Sequence, residues 1–306
     1  MGSLATTALA PHALRWRKTA DFWTLTKPEI NLLIVIATAA SFYLGLPSRH
    51  PWQQGGFPFV LLINTLVGTL LVASGAGALN QYVERRFDAE MRRTRRRPLV
   101  DKRLEPQEAL RFGILLASAG SVYLGVTVNA LSSLLAVLTL ASYLALYTPL
   151  KRTTPCCTLV GAFSGAMPPL IGWAAATNTL GGEAWMLFGI LFLWQFPHFM
   201  AIAWMYREDY ARAGYAVLPN GPQAGRFMSW QAMAPSLALL PFSAGTAVLA
   251  GLGRMGIFAV GVLAAVLVFS SARLAVRKSN SEARRLLTVS IIYLPLTYFL
   301  LMLGGR

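Results

Sequence analysis

Asn80, Glu84 and Asp88 stand four residues apart at the end of an apolar run whose small-residue core is Gly75-Ala76-Gly77-Ala78. If the helix continues, that spacing places all three on one face, so oxygen donors line up over two turns. Arg92, Arg93, Arg95, Arg96 and Arg97 follow at once. Carboxylates backed by guanidinium groups suit a hard divalent cation bridging to an anion, because Mg²⁺ takes a few protein carboxylates and completes its shell with substrate phosphate oxygens. Guanidinium binds phosphate in a bidentate manner, so the arginines would neutralise a departing diphosphate. The same arginines alone would read as topogenic charge. Together with acids that are expensive near lipid, they predict a metal–diphosphate site at a membrane surface.

A second constellation lies in Trp194-Gln195-Phe196-Pro197-His198-Phe199, followed by Glu208 and Asp209. Asp209 should reach the membrane face that Asp88 reaches, and His198 lies about two to three helical turns deeper. An ionisable side chain inside an apolar helix is a candidate substrate or cofactor contact, the bland alternative being a hydrogen-bonded interior histidine. Glu208 reads as a solvated loop charge. Two further stretches flank these: Tyr147-Thr148-Pro149-Leu150-Lys151-Arg152, with its cations on the same face, and Gly161 to Trp173, a small-residue helix interrupted by Pro168-Pro169.

The elements that must position these residues are membrane helices. Hydrophobic residues make up 55% of the 306, charged residues 13%, and mean hydropathy is +0.52, which excludes an ordinary soluble domain. Apolar runs over 30–46, 58–79, 111–127, 131–149, 158–177, 184–205, 232–252, 254–272 and 286–303 predict an all-α, nine-helix polytopic bundle. The net charge of +15 is topological and not a nucleic-acid footprint. With the N-terminus in the cytoplasm, 24 of the 27 Lys and Arg fall on the inner side, leaving Arg49, Arg254 and Arg306 outside. Anionic lipid head groups are a partner for part of that charge. The first 20 residues read as unstructured or peripheral with no cleavable signal, and Thr26-Lys27-Pro28-Glu29 opens the first span, with Asn31 either facing the bundle or capping locally. Cys156 and Cys157 are adjacent and are assigned no chemistry.

These blocks, in this order between residues 26 and 220, resemble the UbiA-type intramembrane prenyltransferases, and within them the branch of protohaem IX farnesyltransferases (haem O synthases). The resemblance rests on Asn80 to Leu99, Tyr147 to Arg152, Gly165 to Gly172, Trp194 to Phe199 and Asp209 to Pro219. It departs at Glu84, where Asp is usual, at Arg86, where a further acid is common, and at Ala213, which leaves the second motif without an Asp at i+4.

The resemblance implies a nine-helix bundle with a central cavity open to the cytoplasmic side, an N-terminal cytoplasmic segment over 1–25 and a single prenyltransferase domain over 26–306. It implies Mg²⁺ held by Asn80, Glu84, Asp88 and Asp209, with Arg95, Arg97, Lys151 and Arg152 neutralising the diphosphate and His198 contacting haem. The implied substrates are farnesyl diphosphate and haem B, in a bacterial inner membrane, with a haem-modifying enzyme or oxidase assembly downstream. Two alternatives fit the same residues: a sister prenyltransferase with another aromatic or tetrapyrrole acceptor, and a non-enzymatic haem carrier.

Overall fold

The computed structural model describes residues 11–47 and 56–304, and of 11–17 only the backbone. The first ten residues, Arg49 and Arg306 lie outside the described residues. Nine helices among those described are long and apolar enough to cross a membrane, in the places the apolar runs predict.

In chain order, α1 (Pro11–Leu25) precedes the spans, and α2 (Pro28–Gly45) begins them with Pro28 in its first turn. Then come α3 (Phe59–Asp88), α4 (Pro106–Thr127) and α5 (Ala130–Ala141), which runs through a π-helical stretch, Ser142–Tyr147, into α6 (Thr148–Leu150). α7 (Cys157–Gly165) and α8 (Met167–Thr177) form one span broken at Ala166, where Pro168 and Pro169 cannot donate to the turn before them. α9 (Gly182–Met205) and the short α10 (Arg207–Arg212) lead to α11 (Gln223–Leu249), α12 (Arg254–Arg277) and α13 (Asn280–Met302). The spans alternate in direction, so the ends of α3, α6 and α9 share a face with Lys27, before α2.

Two expectations need correction or extension. The segment read as unstructured or peripheral is helical from Pro11. α1 is docked by Phe22 and Leu25 against Ala78, Leu99, Leu104 and Ala109, and buried Asp21 pairs with Arg103. Helices α3, α4, α11 and α13 also run past their apolar stretches at this face, to Asp88 and from Pro106, Gln223 and Asn280. Hydropathy marks only the part of a helix that meets lipid, whereas the backbone ladder continues through the polar interface.

Close backbone approach through glycine sets the packing. A Cβ at Gly75 would lie 2.7 Å from the Gly113 carbonyl, and one at Gly120 2.9 Å from that of Gly68, so α3 and α4 touch backbone to backbone. At Gly172 a Cβ would collide with the Thr38 carbonyl, so α8 packs backbone to backbone against α2. Outward faces carry exposed Val60, Ile63, Val122, Val126 and Phe258, as lipid contact requires.

Candidate active site

The α3 helix does continue past its apolar run, so Asn80, Glu84 and Asp88 share a face, and all three are buried. Each meets a cation from another segment. Lys27 Nζ donates to Asn80 Oδ1 at 2.7 Å, Lys151 Nζ to Glu84 Oε1 at 2.8 Å, and Arg97 to Asp88 Oδ2 at 2.6 Å. Asn80 also donates to Thr148 Oγ1 at 3.4 Å. The loop after α3 is folded back to make this possible: Thr94 Oγ1 donates to the Asp88 carbonyl at 2.8 Å and Arg97 N to the Thr94 carbonyl at 2.9 Å.

Withdrawal from water, helped by the charge of Arg97, lowers the Lys27 pKa to about 7. For Lys151 burial also favours the neutral amine, but the Glu84 carboxylate outweighs it and the net shift is upward. Burial and then the Glu84 and Asp88 charges push the Tyr215 phenol up. The cluster therefore holds two acids against three basic groups, one of them poised between charged and neutral.

Asp209 is buried at the start of α10 and pairs with Arg212 at 3.1 Å; Arg212 also donates to the Glu90 carbonyl at 3.2 Å, which ties α10 to the end of α3. Phe87, Met91, Tyr210, Ala213 and Tyr215 pack together there, and Ala216 N donates to the Lys151 carbonyl at 2.7 Å. Both acidic motifs thus meet at one face, with Asp209 held by its own arginine. Arg152 lies over the Phe87 ring at 4.2 Å. Of the arginines, Arg97 turns in, Arg93 lies over the Tyr206 ring at 5.4 Å, and Arg95 stays exposed outside the cluster. Glu208 is exposed, as expected.

His198 is placed differently. Its ring stacks on Trp194 at 4.6 Å, and Nδ1 lies 2.9 Å from Ser290 Oγ on α13. Ser290 Oγ donates its one proton to the Leu287 carbonyl at 2.7 Å, which assigns the Nδ1 proton to His198, so that in the neutral ring Nε2 carries the lone pair.

Several groups here are invisible to motif reading. Lys27 serves as more than a helix opener: it sits in the left-handed region at φ 54° and reaches a residue 53 positions away. Its one sequence signal is a lysine before proline at the N-terminal end of the first span. Tyr143 and Tyr147 stand on the π-helical stretch with their rings 5.4 Å apart, and Lys151 Nζ lies 4.5 Å from the Tyr147 ring centre. Such π-helical turns re-aim side chains and concentrate at functional sites. Gly161 makes room for the Tyr147 ring, since a Cβ there would come within 2.6 Å of it.

Among the described residues no three of His, Cys, Asp and Glu cage a metal by themselves. The donors nevertheless fit Mg²⁺ shared with a substrate anion: Asp88 Oδ1 is a buried oxygen without a hydrogen-bond partner, on the helix that also carries buried Glu84 and Asn80, oxygen donors of the hard-ligand type.

The model of the UbiA prenyltransferase family matches residues 33–299. A protoheme IX farnesyltransferase of Solibacter usitatus is 46% identical over 285 residues, covering 92% of this chain and 98% of that one. Among solved structures, that of a digeranylgeranylglyceryl phosphate synthase aligns with a TM-score of 0.72 at 14% identity, over 94% of this chain and 98% of that one. A UbiA homolog from Archaeoglobus fulgidus bound to GPP and Mg²⁺ aligns with a TM-score of 0.63 at 12% identity, over 92% and 99%. Fold and sequence agree along nearly the whole chain, which belongs to the UbiA prenyltransferase family.

Proposed function

We propose that this chain transfers the farnesyl group of farnesyl diphosphate to a vinyl group of haem B, giving haem O. The observation that carries the transferase chemistry is the buried pairing of Glu84 and Asp88 with Lys151 and Arg97 at the end of α3. The acceptor rests on the likeness to the protoheme IX farnesyltransferases. Residues 26–306 act as one catalytic unit. The site opens to the cytoplasm, with the N-terminus on that side of a bacterial inner membrane, in line with the charge asymmetry.

Asn80, Glu84, Asp88 and Asp209 would hold Mg²⁺, which when bound neutralises diphosphate oxygens as the carbon–oxygen bond ionises. Arg97 and Lys151 already stand among these acids and turn part of their charge to the departing diphosphate, with Lys27 beside them and Arg152 and Arg95 nearer the surface. The bond breaks with its electron pair on the diphosphate. The vinyl π electrons then form the new carbon–carbon bond to the allylic carbon, and water adds at the remaining vinyl carbon with loss of a proton. The buried, aromatic-lined surroundings of Glu84 keep water from quenching the allylic cation first. His198, with Nε2 unprotonated, is the haem contact, and a haem-modifying enzyme or oxidase assembly receives the product.

The test is a mass measurement on the pigment after incubating detergent-purified protein with haem B, farnesyl diphosphate and Mg²⁺. Addition of one farnesyl group and one hydroxyl is expected, with His198→Ala raising the KM for haem at least tenfold and leaving that for farnesyl diphosphate unchanged. Release of diphosphate with unaltered haem would move the acceptor elsewhere. Haem binding with neither product would favour a carrier.

A further inference from the structure

We propose that the turn between α12 and α13 is a binding site for the phosphodiester head group of an anionic phospholipid, gripped by Arg277 and Arg285. Glu282, buried in the first turn of α13, is the anchor. Arg273 pairs with both of its oxygens, at 2.7 and 3.0 Å. That pair alone balances the charge of Glu282. Arg277 and Arg285 nonetheless aim at the same Oε1, at 3.1 and 3.3 Å. Each spends one of five N–H donors on it, and each side chain remains 62% exposed. Two guanidinium groups are thereby held side by side, with most of their donors and both charges uncompensated, in the fork geometry that matches a phosphate.

The turn itself is fixed. Trp204 Nε1 donates to the Lys278 carbonyl at 3.0 Å, and Arg207 donates to Asn280 Oδ1 at 2.8 Å. Lipid, rather than a soluble anion, is the fitting source because of what stands above the cluster. Val262, Val266 and Phe269 are exposed at spacings of four and three residues along α12, on the helix face that ends at Arg273, whose guanidinium lies over the Phe269 ring at 5.8 Å. On α13, exposed Ile292 stands two turns beyond Arg285 on the same side of the helix. Cations at the end of an apolar, lipid-facing stripe are placed for a head group whose acyl chains lie along that stripe. The propionates of a haem at His198 do not account for the cluster: Arg285 precedes Ser290 by five residues and so projects about 140° around α13 from it.

Native mass spectrometry of the full chain, released from nanodiscs of equimolar phosphatidylglycerol and phosphatidylcholine, tests this. The wild type should retain phosphatidylglycerol at least tenfold over phosphatidylcholine. Arg277→Gln/Arg285→Gln, in which Arg273 still neutralises Glu282, should lose that preference, and Arg284→Gln, an exposed neighbour outside the cluster, should keep it. Equal retention of the two lipids by the wild type overturns the proposal without any variant. So does a preference that survives in the double variant, one lost equally in Arg284→Gln, or one abolished by millimolar inorganic phosphate.

Discussion

Asp88→Ala is expected to lower kcat/KM for farnesyl transfer by about 10²–10³-fold, the scale on which an enzyme loses one preorganised stabiliser of transition-state charge. One carboxylate oxygen of Asp88 holds Arg97 at 2.6 Å and the other is buried without a partner. The substitution removes the carboxylate proposed as a metal ligand and at the same time frees the guanidinium from its place. Asp88→Asn keeps the shape and one acceptor for Arg97 but not the charge, and should recover little. Steady-state rates at saturating Mg²⁺, on protein that elutes as wild type does, give the comparison. A rate within threefold of wild type would remove Asp88 from the chemistry.

Lys151→Ala should act on the fold as well as on the rate. It takes from buried Glu84 the ammonium 2.8 Å away and leaves only Lys27 and Arg97 to offset that charge, at a cost approaching the roughly 3–5 kcal/mol of a broken buried pair. Glu84→Gln/Lys151→Met removes both charges together and should regain most of the lost stability, because replacing both partners avoids the orphaned ion. Activity should not return with it. Thermal unfolding in detergent, followed alongside turnover, separates the two roles; recovery of turnover in the double variant would make the pair purely structural.

How far this was legible in the sequence differs from residue to residue. The spans were legible because lipid demands about 20 apolar residues whatever their neighbours, and the acidic face of α3 because a four-residue spacing has one meaning in a helix. Which arginine turns in was not legible. Arg95 and Arg97 are equivalent in composition, and the turn made by Thr94 on the Asp88 carbonyl selects Arg97. Lys27 was missed as a site residue because its reach to Asn80 depends on a left-handed backbone before α2 and on the packing of α2 against α3. The π-helical Ser142–Tyr147 has the same hydropathy as an α-helix. Docking of α1 joins Phe22 and Leu25 to a distant apolar cluster and Asp21 to Arg103, 82 residues away, which no local pattern announces.

Acids and cations paired with one another in the free protein should open together to a metal–diphosphate and not to the metal alone. Thermal unfolding of the full chain is measured with Mg²⁺, with a non-ionisable farnesyl thiodiphosphate, and with both. Three basic groups around two acids should repel bare Mg²⁺, so neither Mg²⁺ alone nor the analogue in EDTA should raise the unfolding temperature, whereas the two together should raise it by several degrees. An equal rise with Mg²⁺ alone, or with the analogue in EDTA, would contradict the account.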